Sequence, residues 1–119
     1  MIVYVYHKCS TCKEALRFLE KTKGKGNFSV KEITVTPPSL EELQQMLKFQ
    51  KGHLKKLFNT SGQLYRERQL SQKINDMPFE DALMLLTQEG MLVKRPFLLT
   101  EETGLVGFNE ELWLKILKN

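Results

Sequence analysis

The chain opens on hydrophobic positions that do not alternate: Ile2, Val3, Tyr4, Val5 and Tyr6 are all apolar or aromatic. A strand without a polar face is covered on both sides, so this run predicts a buried strand. The period then becomes helical. Cys12, Leu16 and Leu19 recur at i, i+4 and i+7, with Ala15 widening the stripe, until Lys23-Gly24-Lys25-Gly26-Asn27 breaks it. Residues 28–35 have strand composition, although Glu32 interrupts their alternation. Strand, helix and strand in so short a span predict a parallel pair joined by a crossover helix.

The middle of the chain is helical. Thr36-Pro37-Pro38 stops the strand, and Ser39-Leu40-Glu41-Glu42 has the spacing of a capping box. Leu40, Leu43, Met46 and Leu47 form its apolar stripe, and Leu54, Leu57 and Phe58 suggest a further short helix before a turn at Asn59-Thr60-Ser61-Gly62. Phe79, Ala82, Leu83 and Leu86 mark another helix, with Gly90 placed to act as a left-handed cap. After Lys94-Arg95-Pro96, Phe97-Leu98-Leu99-Thr100 reads as a strand, Thr103-Gly104 as a turn, and Leu105-Val106-Gly107-Phe108 as the returning arm of a hairpin. Asn109 then caps a helix carrying Leu112, Trp113, Ile116 and Leu117. The order β-α-β, helices, β-β-α predicts an α/β fold. Its expected form is a thioredoxin-like, mixed four-stranded sheet in one domain over residues 1–119, with a helical insertion at about 39–90.

Composition narrows the function. Of 119 residues, 41% are hydrophobic and 27% charged, which excludes a disordered chain. The net charge of +4 is spread among intermixed acids, so no basic stripe for direct nucleic-acid binding is expected. No apolar run approaches the roughly 20 residues of a membrane span, and no secretory signal opens the chain. The expected compartment is the cytoplasm, where two cysteines do not form a permanent staple and their spacing gains interest.

Cys9-Ser10-Thr11-Cys12 lies where the first strand gives way to a helix. A helix N-terminus offers unpaired N–H groups and the positive end of the macrodipole, which favour thiolate over thiol at Cys9. Lys8 adds a neighbouring positive charge. Cys12 lies one turn on, within reach of a disulfide's Cα separation of roughly 4.4–6.8 Å. The plainer reading of Cys12 is a small core residue, since it shares a stripe with Leu16 and Leu19. A zinc site from His7, Cys9 and Cys12 lacks a good fourth ligand, the other histidine being the distant His53, and no metal is expected.

Tyr6-His7-Lys8-Cys9-Ser10-Thr11-Cys12-Lys13-Glu14-Ala15, Asn59-Thr60-Ser61-Gly62, Lys94-Arg95-Pro96 and Gly104-Leu105-Val106-Gly107-Phe108 together resemble the arsenate reductase (ArsC)/Spx family nearly end to end. The closest likeness is to its small two-cysteine branch, in which a proline commonly stands where this chain has His7. The resemblance implies a nucleophile at Cys9, a cis-proline at Pro96, and an anion-binding guanidinium at Arg95 whose plain alternative is an ordinary surface arginine. Lys8, Ser10, Thr11 and Pro96 are expected to line the substrate side. Arsenate-reducing members share two further oxyanion-binding arginines, near the positions where this chain has Ser61 and Gly107-Phe108. Arg66 follows close behind the first. Losing such donors at ~1.5–3 kcal/mol each weakens oxyanion binding.

The leading expectation is therefore a thiol–disulfide oxidoreductase or redox sensor in which Cys9 attacks and Cys12 resolves. It would carry no bound cofactor. Its partners would be a disulfide substrate and a cellular reductant such as glutathione with glutaredoxin, or thioredoxin. One alternative is glutaredoxin-dependent arsenate reduction. The other is an Spx-like redox-sensing regulator that binds the RNA polymerase alpha subunit, with Gly52 near that group's contact glycine.

Overall fold

The computed structural model describes residues 1–117. Its four strands are β1 (Ile2–Val5), β2 (Ser29–Glu32), β3 (Phe97–Leu99) and β4 (Gly104–Val106), in the sheet order β2-β1-β3-β4. β1 runs parallel to β2, with Val3 beside Val30, and antiparallel to β3, with Tyr4 beside Phe97. β3 and β4 form the antiparallel hairpin. This is the mixed, thioredoxin-like α/β sheet expected from the order of elements.

β1 is covered on both faces, as its unbroken apolar run requires. Val3 and Val5 pack with Leu98 against α1 (Ser10–Lys23) and α6 (Glu110–Leu117), in a core that holds Cys12, Phe18, Leu19 and Trp113. Tyr4, Phe97 and Leu99 face the helices between β2 and β3. Those are α2 (Leu40–Phe49), a 3₁₀ turn at Leu54–Leu57, α3 (Gln63–Glu67), α4 (Leu70–Lys73) and α5 (Phe79–Gln88). The capping box of α2 is formed: Glu42 N–H donates to Ser39 Oγ (3.1 Å), and Ser39 N–H donates to Glu42 Oε1 (2.9 Å). Tyr4 Oη also donates to Glu42 Oε1 (2.7 Å), tying α2 to the central strand. Asn109 caps α6, accepting the Leu112 N–H at 3.0 Å.

Several elements differ from the sequence reading. The second strand ends at Glu32, because Val35 and Thr36 both donate back to the Glu32 carbonyl and turn the chain. Gly90 is not a left-handed cap; it begins a 3₁₀ turn, and a Cβ there would lie 2.1 Å from the Ile33 carbonyl oxygen. That glycine is required by close backbone approach. Gly104 belongs to β4, paired with Leu99, and a Cβ there would lie 2.6 Å from Met46 Sδ where α2 crosses the sheet; the strand ends at Val106. Phe79, Leu112 and Ile116, apolar residues of the two helices α5 and α6, are exposed. The short helices α3 and α4 carry too few turns for periodicity to show.

Candidate functional site

The site lies at the C-terminal end of β1. Four residues after Val5, Cys9 forms the N-cap of α1 in an extended conformation, so its side chain turns onto the first helical turn. Its Sγ accepts the Cys12 N–H at 3.4 Å, one of the four donors that a helix start leaves without an intrahelical partner. Cys9 is half-buried, whereas Cys12 is fully buried, and both sulfurs are free.

The two thiols are driven apart. Partial burial alone would raise the Cys9 pKa, but the N–H and the thiol of Cys12, the Arg95 charge and the Thr11 N–H outweigh it, and Cys9 is held below its ordinary value. Burial pushes Cys12 up to about 12, and the neighbouring Cys9 adds to that rise. The Tyr6 N–H, 3.5 Å from Cys12 Sγ, and the Arg95 charge oppose it without prevailing. The arrangement eases ionisation of one sulfur beside another that keeps its proton.

Arg95 reaches this end of the sheet because β3 runs antiparallel to β1: Phe97 pairs with Tyr4, so the Arg95-Pro96 step falls beside the Cys9 turn. That peptide bond is cis, and Pro96 is buried. Arg95 is no free surface arginine. Its guanidinium lies 5.0 Å from the Tyr6 ring centroid, Nη1 donates to the Met91 carbonyl at 3.3 Å, and Nε is buried without a hydrogen-bond partner among the described residues.

The other expected site residues divide. Thr11 supplies an N–H toward Cys9 and Arg95 a positive charge that lowers its pKa, whereas Ser10 and Lys8 are exposed. Arg66 Nη1 donates to the Ser61 carbonyl at 2.8 Å, which holds its guanidinium in its own turn. His7 is bonded to Glu32 at 3.0 Å, and among the described residues no three His, Cys, Asp or Glu side chains gather as a metal centre requires.

Sequence reasoning passed over Tyr6 and Glu32. Tyr6 touches the site three ways: its carbonyl accepts the Cys9 N–H at 3.0 Å, its amide donates to Cys12 Sγ, and its ring carries Arg95. The available signals were an aromatic residue ending the first apolar run and a carboxylate interrupting the second.

A mixed sheet with a cysteine pair opening the helix after its first strand, and a cis-proline leading into the adjacent strand, defines a thioredoxin-like thiol site. Within that class the chain belongs to the ArsC family, whose model matches residues 4–116. It is 43% identical to the uncharacterized protein YusI of Bacillus subtilis (strain 168), over 91% of this chain and 90% of YusI. It is 25% identical to the global transcriptional regulator Spx of Lactiplantibacillus plantarum, over 93% of this chain and 81% of that regulator. Among solved structures, a possible arsenate reductase from Streptococcus mutans UA159 superposes with a TM-score of 0.83 at 35% identity, covering 93% of this chain and 95% of that one. These relationships support a thiol redox function. Among the described residues, no helix is long and apolar enough to cross a membrane.

Proposed function

We propose that this protein is a cytoplasmic thiol–disulfide oxidoreductase or redox sensor, one ArsC-type domain with the 39–90 helices as its insertion, in which Cys9 is the nucleophile and Cys12 the resolving thiol. The observation that carries this reading is the asymmetry of the pair: Cys9 is half-buried and stabilised as thiolate, while Cys12 is buried and kept protonated. The Cys9 thiolate attacks one sulfur of a substrate disulfide, forms a mixed disulfide and expels the other sulfur as a thiolate. Cys12 then gives its proton to solvent and attacks Cys9 Sγ. This closes the Cys9–Cys12 disulfide and releases the second substrate thiol, so two electrons pass from protein to substrate. An external dithiol, or two molecules of glutathione, returns the protein to the reduced state. Arg95 holds negative charge near the reacting sulfur, and Thr11, Ser10 and Pro96 border the approach.

Arsenate reduction has less support, because Arg95 is the guanidinium that acts on Cys9 and Arg66 is engaged at Ser61. The likeness to Spx supports a regulator that binds the polymerase alpha subunit less directly. Gly52, with φ +80°, donates its N–H to Leu47 at the end of α2, which gives this glycine a local structural role.

The test is iodoacetamide alkylation of reduced protein across pH, read by peptide mass. Cys9 is expected to reach half-maximal reactivity below the ordinary thiol range while Cys12 stays unmodified until strongly alkaline pH. Mild oxidation should join the pair, and Cys9→Ser should lose both properties. A Cys9 that reacts as an ordinary thiol, or a pair that fails to close, refutes the reading; arsenate turnover with glutathione and glutaredoxin would move it to the arsenate alternative.

A further inference from the structure

The segment that delivers Cys9 to the helix is a reverse turn. The Cys9 N–H donates to the Tyr6 carbonyl at 3.0 Å, which places His7 and Lys8 at the two central positions. Neither has a positive φ, so the turn is of the common kind whose first central position favours proline, a residue that fixes φ covalently. His7 occupies that position without such a restraint.

What it has instead is Glu32. The His7 backbone N–H, a donor that proline lacks, lies 3.0 Å from Glu32 Oε1, and His7 Nδ1 lies 3.0 Å from the same oxygen. A carboxylate oxygen only accepts, so the ring meets it with Nδ1 protonated and donating. Glu32 is itself held in place: its Oε2 accepts from the Thr34 hydroxyl at 3.0 Å and the Thr34 N–H at 3.4 Å. Desolvation is the largest single influence on its pKa and raises it, but the donors of His7 and Thr34 together outweigh it and hold the carboxyl below its ordinary value. The His7 and Tyr6 rings meet edge to face with centroids 5.1 Å apart, and the other contacts of the same Tyr6 reach Cys9, Cys12 and Arg95.

We propose that Glu32 and His7 are positioning residues for Cys9, forming a two-bond clamp from the end of β2 that sets the Tyr6–Cys9 turn in place of a proline's covalent restraint. The inference rests on Cys9 being the reactive thiol, and it adds a dependence of that thiol on a carboxylate from a different strand. The clamp is partly exposed, so its effect is modest.

The test is a cycle of Glu32→Ala, His7→Pro and the double variant, with the alkylation rate and pH midpoint of Cys9 and the melting temperature measured for each. Glu32→Ala is expected to slow Cys9 alkylation at neutral pH about twofold to fivefold and to move its midpoint upward. His7→Pro should restore wild-type behaviour, and in that background Glu32→Ala should have no further effect on Cys9. The proposal is overturned if Glu32→Ala lowers the melting temperature but leaves the Cys9 midpoint in place. It is also overturned if the double variant is as slow as Glu32→Ala alone. If the wild-type Cys9 is itself an ordinary thiol, the oxidoreductase reading fails first; a reactive wild-type Cys9 indifferent to Glu32 sinks the clamp alone.

Discussion

Tyr4, Phe97 and Leu99 look from one face of the sheet into a core of Leu43, Met46, Leu57, Leu86 and Leu92, whereas Val3, Val5 and Leu98 on the other face share theirs with Cys12, Phe18 and Trp113. The first core is broad, and the polar contact described at its rim is the Tyr4 hydroxyl on Glu42. The second is narrower and contains a thiol, that of Cys12. In it Trp113 stands edge-on to Phe108 at 4.9 Å and to Phe18 at 6.2 Å, and its indole N–H donates to the Gly107 carbonyl at 3.1 Å. The difference teaches that stability and chemistry are divided across β1. The helices between β2 and β3 carry the larger buried cluster, while the α1 face keeps Cys12 buried beneath a Cys9 that is partly exposed. Burial raises the pKa of one thiol, and one turn away the helix start lowers that of the other.

If the division holds, injury to the broad core should cost stability and spare the thiol. Leu86 is fully buried among the α2 and α5 side chains, and Leu86→Ala is expected to destabilise the protein by about 2–5 kcal/mol in urea unfolding. In the fraction that remains folded, the pH midpoint of Cys9 alkylation should stay where it is. A midpoint that moves with Leu86 would show the two faces to be coupled.

Arg95 tests the opposite side of the comparison. Its charge lowers the Cys9 pKa, so Arg95→Gln should move the midpoint upward and slow alkylation at neutral pH about threefold to tenfold, since a tenfold change corresponds to about 1.4 kcal/mol. The sign follows from the thiolate: without a nearby cation, a higher pH is needed to ionise the same fraction of Cys9. Unfolding should shift less than in Leu86→Ala, because Arg95 as a whole is only half-buried and gives up one 3.3 Å hydrogen bond and its stacking on Tyr6. An unchanged alkylation profile would remove Arg95 from the site.

Much of this arrangement was readable from residue order. An apolar run without alternation placed β1 between two cores, and Ser39 with Glu42 announced the start of α2. Cys9 fell at the cap because a helical stripe began at Cys12. Arg95 and Pro96 entered through likeness to a family, and their setting came from the antiparallel pairing of β3 with β1, a long-range fact that no local pattern carries. The same limit hid Tyr6 and Glu32. Tyr6 acts chiefly through its backbone and ring face, and Glu32 meets His7 across 25 positions of sequence. Gly90 was misread for a related reason: its need for no side chain comes from Ile33 on a distant segment, which a reading of helix ends cannot see.

The smallest expected effect probes the polar contact at the rim of the broad core. Ser39 Oγ accepts the Glu42 N–H, while Glu42 Oε1 accepts both the Ser39 N–H and the Tyr4 hydroxyl. Ser39→Ala removes only the first of these bonds, so α2 loses an N-cap worth about 1 kcal/mol and Glu42 keeps its hold on Tyr4. The Tyr4 phenol, raised well above its ordinary pKa by burial and then by Glu42, should stay un-ionised into strongly alkaline solution in the variant as in the parent. Ultraviolet difference titration of tyrosine reads this directly, and urea unfolding reads the lost cap. If Ser39→Ala instead lets Tyr4 ionise near the ordinary phenol range, the capping box holds the β1 side chain as well as the helix end. In that case the broad core would owe part of its order to three polar groups at its rim.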